Sequence, residues 1–523
     1  MMDGDMNGAE LLTETLRRHG VEWISTLCGH GLDPLFQAVR KSGIRLVDTR
    51  NEQTAAYIAD AYGRLTRRVG VCAVSSGVAH VNALAGVANA WFDGGPMLLI
   101  SGAGAAATAG MGHFQDMDQV SLAKPLCRYA RTVDRAGRIV QILEEALCAA
   151  TSHPPGPVHL TIPMDVQTAE VPEAEVVSAT FRAAVRAADD NVEVAAAALI
   201  ESERPLVVAG SGVFYSDCAR GMLLFCERYH IPVVTPIWDR GCVDGPNSVF
   251  LGVVGAATGG PAVLNQADCI LMAGAVSDYR VGYLQPPAVR PDARVLFFEK
   301  DWNSLAEALG DRPTTTWQEW LAVCASRRDE FRRLAEARAH EQAGNGLHSV
   351  HILRAIERVL SEDPVLLIDG GSIGQWAHQL LCSQRYPGHW LTCGRSGVVG
   401  WGLAGAMAAR LAFPDRPVIL LSGDGAFTFN VADLESAVRQ RLGFVAVVAD
   451  DQGWGITRTG HLRQFGEPIA SSLGPIAFDE LARSLGARGV RAADPEAISH
   501  ELRPALKQPG VTVIHVPITG GNP

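Results

Sequence analysis

No apolar run in these 523 residues approaches the ~20 residues that a membrane-spanning helix needs. The first residues, MMDGDMNGAELL, are acidic and carry no apolar signal core, so no membrane contact is expected. Charged residues make up only 19%, the net charge is −11 and no basic cluster stands out, which argues against a nucleic-acid partner. The 11 cysteines form no CxxC pair and no regular framework; they read as reduced thiols of a cytoplasmic protein. The HxxH of His348 and His351 has no acidic ligand set beside it, so a helix surface is expected there rather than a metal. What is present is 54 glycines and 47% hydrophobic residues, the composition of an α/β protein with many tight turns. Length points to about three domains.

The stretch from Val418 to Arg458 carries the strongest chemical signal. Val418–Ser422 is a short branched apolar run, the mark of a buried strand, and Gly423-Asp424-Gly425 breaks it. Phe427–Arg441 has apolar residues at helical spacing. Phe444–Ala449 is a second strand, ending in Asp450-Asp451-Gln452-Gly453. In a strand–helix–strand unit both strand ends fall on one rim of a parallel sheet, where α/β folds bind ligands. Asp424 and Asp451 therefore share a rim. Glycines there leave N–H groups open to a phosphate, and the carboxylates suit its accompanying divalent cation. An ordinary βαβ unit with acidic turns is the alternative.

Nearer the N-terminus the pattern predicts helix 9–19, strand 23–28 ending at Gly29-His30-Gly31, helix 32–41, strand 44–47, helix 54–66 and strand 71–74 ending in Ser75-Ser76-Gly77. This alternation predicts doubly wound parallel sheets. Glu52 falls at the rim after the second strand, at a helix start, where a carboxylate also serves the helix dipole. Pro154–Pro157 leads into strand 158–162. Residues 165–190 read as a linker. A new α/β domain starts at Val192, with Gly210-Ser211-Gly212 and Glu299 imitating half of a dinucleotide site. The charged run 325–346 reads as a solvated helix crossing to a third domain. The expected domains are 1–170, 190–330 and 347–523.

Three segments, RNEQTAAYIADAYGRLT, VCAVSSGVAHVNALAGVANAWFDGGPMLLISG and GHFQDMDQVSLAKPLCRYA, in that order, together resemble the pyrimidine-binding domain of the thiamine-diphosphate (ThDP) enzymes, in their acetolactate synthase-like (large catalytic subunit) branch. The GDG–helix–strand–DD stretch resembles that family's diphosphate motif, with Asp450-Asp451 in place of the usual paired Asn. The resemblance implies three domains, binding pyrimidine, central and diphosphate. It implies a C–C bond lyase or carboligase that decarboxylates a 2-oxo acid and then protonates the product or joins it to a second carbonyl. Glu52 would hydrogen-bond the aminopyrimidine ring and relay a proton, so burial is expected to raise its pKa. Gly77 would lie against the cofactor, and Phe114 and Gln115 would face the substrate, with core packing the alternative for Phe114. His113 and His30 are further substrate-side candidates, and His30 and His80 are each either a proton shuttle or a satisfied loop histidine. Ser372, Gly397, Val399, Gly423, Asp424, Gly425, Ala426, Asp451, Gly453, Trp454, Gly455 and Ile456 make up the rest of the implied cofactor site. Val399 takes the position of the residue wedged between the two rings. Mg²⁺ would be held by Asp424, Asp451 and the Gly453 carbonyl.

In the central domain, Ser277–Val281 resembles the family's FDDRV segment. Arg280 is thus either an anchor for a substrate carboxylate or a salt-bridge residue. That branch holds FAD there, whereas Leu251–Ala256 lacks the MHG of FAD-binding relatives, so FAD stays an open expectation. Gly460 stands where acetolactate synthases carry a specificity Trp. The resemblance implies a homodimer at minimum and a tetramer as the fuller assembly, with Glu52 and Asp424 of one site on different chains. Two other readings are a 2-hydroxyacyl-CoA lyase-like enzyme and a non-catalytic ThDP-fold binding protein.

Overall fold

The structure is a computed structural model that describes residues 6–177, 191–239, 247–255, 260–312, 314–344, 346–381 and 390–522. The chain divides into two compact units. Among the described residues, the first comprises 6–177 with 395–415 and 430–443; the second comprises 191–394 with 416–429 and 444–522.

The first unit is built on six parallel strands, β1 (Trp23–Leu27), β2 (Arg45–Asp48), β3 (Gly70–Val74), β4 (Met97–Ala103), β5 (Tyr129–Thr132) and β6 (Pro157–Pro163), in the order β2-β1-β3-β4-β6-β5. The chain leaves β1 in one direction and returns on its other side, so the sheet has a switch point between β1 and β3. Leu27 pairs with Val74 and Val74 with Ser101, which brings the turns after these strands to one rim. β3 and β6 are buried along their whole length, as strands covered by helices on both faces must be. The helix Glu52–Thr66 covers β3 with a face of Ala55, Ala56 and Ala59, small enough for close approach.

The second unit holds two parallel sheets. The central one has β7 (Pro205–Ala209), β8 (Val233–Pro236), β9 (Phe250–Val254), β10 (Cys269–Ala273) and β11 (Arg294–Phe297), in the order β9-β8-β7-β10-β11. The other has β12 (Val365–Asp369), β13 (Trp390–Leu391), β14 (Val418–Gly423), β15 (Val445–Asp450), β16 (Arg488–Arg491) and β17 (Thr512–Pro517), in the order β13-β12-β14-β15-β17-β16. That order repeats the topology of the first sheet. The chain is therefore an α/β protein of three doubly wound parallel sheets, as the alternation of strands and helices predicts.

Several local expectations are corrected. The expected linker is structured over its described part: Met164–Thr168 is a helix and Glu170–Val171 pairs with Met6–Asn7, while 178–190 lie outside the described residues. The charged run belongs to a 29-residue helix, Thr315–Ala343, that buries Trp317, Trp320, Cys324, Ala335 and Ala339 instead of being solvated all round. The expected helix 427–441 is broken into Asp424–Thr428 and Asp433–Arg439. His348 is not on a helix surface. It is buried as the N-cap of Ser349–Glu357, accepting from Val350 N–H, and burial pushes its imidazole down to about 4.

Candidate functional site

The residues singled out from the sequence fall into two groups, one in each unit. In the first unit Glu52 opens the helix Glu52–Thr66, with Asn51 as N-cap accepting from Gln53 N–H at 2.8 Å. Its carboxylate is half-buried and Oε2 accepts from Asn82 Nδ2 at 3.1 Å. Gly77, after β3, has φ +61°. A Cβ there would come within 2.7 Å of the Gln115 Cβ, so the turn admits only glycine at this approach. Gly77 N–H donates to Gln119 Oε1 (3.0 Å), and Gln119 Nε2 donates onward to the Gly102 carbonyl (3.0 Å).

Gln115 itself sits at φ +56°, a backbone state that costs a non-glycine residue about 1–3 kcal/mol unless its surroundings enforce it. Ser76 Oγ donates to its Oε1 at 2.9 Å and fixes the amide. Phe114 is 67% exposed and meets the His30 ring edge-on at 5.5 Å, so the core-packing alternative fails for it. His113 Nε2 lies 3.3 Å from Asp116, and its ring covers Gly104, where a Cβ would come within 2.5 Å of the imidazole. The buried His80 contacts Ser101 Oγ at 2.8 Å, and burial lowers its pKa to about 4, which leaves it a neutral core residue.

Gly397 and Val399 also belong to this unit. Their turn is held by Asp93, which accepts from Arg395 N–H (2.8 Å), by Asn89, which accepts from Ser396 Oγ, and by Asn430, which donates to the Gly400 carbonyl (2.9 Å). Behind the turn Arg64 bridges Asp93 (2.6 Å) and Asp60 (3.6 Å) and lies over the Trp401 ring. Complete burial raises the Asp60 carboxyl to about 7, with Arg64 and Asn89 pulling the other way.

The second group sits at the switch point of the third sheet. Asp369 pairs with Ser422 and Gly423 with Ala449, so the turns after β12, β14 and β15 are level on one rim. Asp424 is buried, and its Oδ2 accepts from Gly453 N–H at 3.1 Å. Burial and the neighbouring Asp451 charge push Asp424 up to about 7; burial also raises Asp451, which shares a hydrogen bond with Asp424. Two neighbouring carboxyls whose charged forms disfavour one another fit a divalent cation, which both would stabilise as ligands. A cradle lies beside them. A Cβ on Gly370 would come within 2.6 Å of Gly423 N, and one on Gly455 within 2.2 Å of Ser372 Oγ and 2.7 Å of Asp451 Oδ2. Trp454 covers Gly425 and meets Phe429 edge-on, and Ile456 lies over Gly371.

Both acidic departures from the Asn pair have local nitrogen partners. Arg458 Nη2 bonds Asp451 Oδ2 at 2.8 Å, while its Nη1 donates to the Asp451 carbonyl. Asp450 accepts from Gln452 N–H as a turn residue, and its other oxygen lies 2.9 Å from His515 Nε2, with Asp479 on the far side of that ring. Arg458, His515, Gln119, Asn82 and Asn522, which contacts Ser372 and Gly455, were not singled out from the sequence. Only Arg458 left a signal, as a cation in the first turn of the helix Gly455–Phe465 that follows the acidic loop.

Arg280 is buried. Its Nε and Nη2 bond Asp278, and Nη1 bonds Asp239 and the Ile237 carbonyl. This is an internal ion network, and an anchoring role would require the guanidinium to release those partners. A cavity of about 480 Å³ at Trp23, Tyr62 and Arg68 lies at the N-terminal ends of β1 and β3, the opposite edge from Glu52 and Gly77.

The chain is similar to known proteins along most of its length. Three family models match: Thiamine pyrophosphate enzyme, N-terminal TPP binding domain, over residues 6–122; its central domain over 192–310; and its C-terminal TPP binding domain over 369–516. The chain is 29% identical over 521 residues to a probable acetolactate synthase of Mycobacterium bovis, covering 96% of this chain and 93% of that protein. It is 30% identical over 542 residues to 2-hydroxyacyl-CoA lyase 2 of Homo sapiens, covering 92% and 85%. An acetolactate synthase large subunit of Parasynechococcus marenigrum is 29% identical over 552 residues, covering 99% and 88%.

Proposed function

From the chain's membership of the thiamine-pyrophosphate enzyme family, we propose that it uses ThDP with Mg²⁺ to make or break a C–C bond beside the carbonyl of a 2-oxo acid, as an acetolactate synthase-like decarboxylase and carboligase. The observation that carries this reading is the Asp424–Asp451 carboxyl pair, with the Gly453 N–H donating to Asp424, on a glycine-lined rim. Asp424, Asp451 and the Gly453 carbonyl would hold Mg²⁺, and the cradle of Gly370, Gly423, Ser372 and Gly455 would hold the diphosphate. When bound, the cofactor supplies an acidic carbon that adds to carbonyls and acts as an electron sink as CO₂ leaves. Glu52 would hold and move a proton at the pyrimidine nitrogen, Asn82 would orient its carboxylate, and Val399 would pack against the cofactor. The Ser76–Gln115 pair presents an amide to the reacting carbonyl.

A 2-hydroxyacyl-CoA lyase-like activity is the second reading, favoured by relatives of that name at equal identity. Both readings are tested by incubating the purified protein with ThDP, Mg²⁺ and either a panel of 2-oxo acids or 2-hydroxyacyl-CoA esters, with CO₂ release and product identification. CO₂ release from the acids supports the first; aldehyde release from the esters supports the second; neither overturns both. A homodimer at minimum, with a tetramer as the larger assembly, is supported by the exposed apolar side chains Val78, Val81, Phe92, Met111 and Phe114 of the first unit. A cytoplasmic location is supported by the sequence pattern of the 11 cysteines, which form no CxxC pair and no regular framework. No helix is long and apolar enough to cross a membrane among the described residues.

A further inference from the structure

A cavity of about 450 Å³ opens directly beyond Gln115, on the same C-terminal edge of the first sheet as Glu52 and Gly77. It runs between the segment after β4 and the segment after Met117, over the ends of β5 and β6. The acidic side chains on its wall are already engaged. Asp116 accepts from Gly112 N–H and faces His113, and Asp118 caps the helix Gln119–Ala123 by accepting from Ser121. No lysine or arginine lines it and its one histidine, His113, faces Asp116, so it holds no fixed cation for a carboxylate or a phosphate. The rest of the wall is small at Gly104 and Gly110, apolar at Ala103, Ala106, Ala109, Met117 and Pro163, and carries the uncharged polar groups of Gln115, Gln119, Thr132 and Thr161. A cavity of this size, with an apolar side and polar groups that are either engaged or uncharged, matches the anatomy of a small-molecule subsite.

We propose that this cavity is a substrate subsite for an uncharged aliphatic chain of roughly five or more carbons attached to the reacting carbonyl. The proposal rests on the reaction class given above and sharpens its substrate. Gln115 sits at the mouth, held by Ser76, so a carbonyl placed against its amide directs its substituent into the cavity. The methyl group of pyruvate would leave the cavity empty; a longer chain fills it with apolar contact.

Two measurements test this. In the first, kcat/KM is read for straight-chain 2-oxo acids from pyruvate to 2-oxooctanoate, and for 2-hydroxyacyl-CoA esters of matching acyl length, with ThDP and Mg²⁺. The expected result is a rise with chain length of up to about fourfold per methylene. Ala106→Phe and Ala109→Leu, which fill the cavity from exposed positions, should reduce the eight-carbon substrate tenfold or more and leave the three-carbon one within twofold. In the second, binding of butanamide and octanamide to the same proteins is followed by isothermal titration, which needs no turnover. Octanamide should bind the unsubstituted protein better than butanamide, and Ala106→Phe should remove the difference. Turnover that is flat with chain length and unaffected by either substitution overturns the subsite and keeps the reaction class. Length-dependent amide binding abolished by Ala106→Phe, without turnover of any acid or ester, keeps the subsite and overturns the reaction class. Octanamide binding no better than butanamide in the unsubstituted protein overturns the subsite.

Discussion

At Asp451 a single residue type changes the electrostatics of a rim. An Asn there would offer the same oxygen ligand without charge; the Asp brings a charge that Arg458 meets at 2.8 Å. The pair leaves a ligand oxygen in place while limiting the repulsion a bare carboxylate would exert on a diphosphate. Asp451→Asn should therefore remain active at saturating Mg²⁺ but need several-fold more Mg²⁺ for half-maximal activity, read from a metal titration of the initial rate. An Asn variant inactive at every Mg²⁺ concentration would remove Asp451 from the metal site. Glu52 has a different dependence on chemistry. Its neighbours, Asn51 as cap and Asn82 as hydrogen-bond donor, tolerate an amide of the same shape. Glu52→Gln should keep the melting temperature within a few degrees and lose at least about 10²-fold in kcat, the range of a lost acid–base group. Activity within a fewfold of the unsubstituted enzyme would exclude the proton-relay role.

Elements show a second kind of dependence, in which buried charge fixes a turn. The turn carrying Gly397 and Val399 hangs on Asp93 and Asn89, and these are backed by Arg64 and Asp60. The Asp60 carboxyl is raised to about 7, so between its unfolded value near 3.8 and 7 the folded state binds the extra proton. Stability from this group is full below pH 4 and is lost as pH rises through 7, with a slope of at most about 1.4 kcal/mol per pH unit. Asp60→Asn should remove that component, so its stability relative to the unsubstituted protein rises from pH 4 to 7 in urea melts; parallel pH profiles would contradict the assignment. The long helix Thr315–Ala343 makes a related point through packing. Trp320 is buried and its Nε1 donates to the Pro205 carbonyl at 2.9 Å. Trp320→Ala should cost about 3–5 kcal/mol in a denaturant titration, whereas a solvated helix would lose almost nothing. The strands and the glycine-acid turns were legible in the sequence because apolar runs and turn residues are local signals. The buried face of this helix was not, because it is made of Ala335, Ala339 and two tryptophans among arginines and glutamates, with hardly any apolar periodicity. The break at Phe429–Ala432 was missed for the opposite reason: the apolar spacing continues across a stretch whose ends answer to different partners. Asn430 bonds the Gly400 carbonyl, and Asp433 accepts from Arg50 N–H.

Across the whole molecule, the two sheets that carry the rim chemistry share one strand order, and each places its glycine turns at its own switch point. In the proposed reading each carries half of a site. Glu52, Gly77 and Gln115 offer proton transfer and a carbonyl contact without a place for a diphosphate. Asp424, Asp451 and the glycine cradle offer the reverse. In the proposed homodimer the pyrimidine half of one protomer serves the diphosphate half of its partner, and complementation tests this directly. Glu52→Gln and Asp424→Asn homodimers should each be nearly inactive. When the two are unfolded together and refolded at equal concentration, half of the dimers formed at random are mixed. Each mixed dimer with sites assembled in trans then holds one site with both groups intact and one with neither. Activity should recover to about a quarter of the unsubstituted enzyme. If both halves of a site came from one chain, every site in every mixed dimer would carry one defect, and refolding together would restore nothing. An affinity tag carried by the Glu52→Gln chain alone reports, by co-purification of the untagged Asp424→Asn chain, whether the mixed species formed, so an inactive mixture that contains heterodimer decides against assembly in trans.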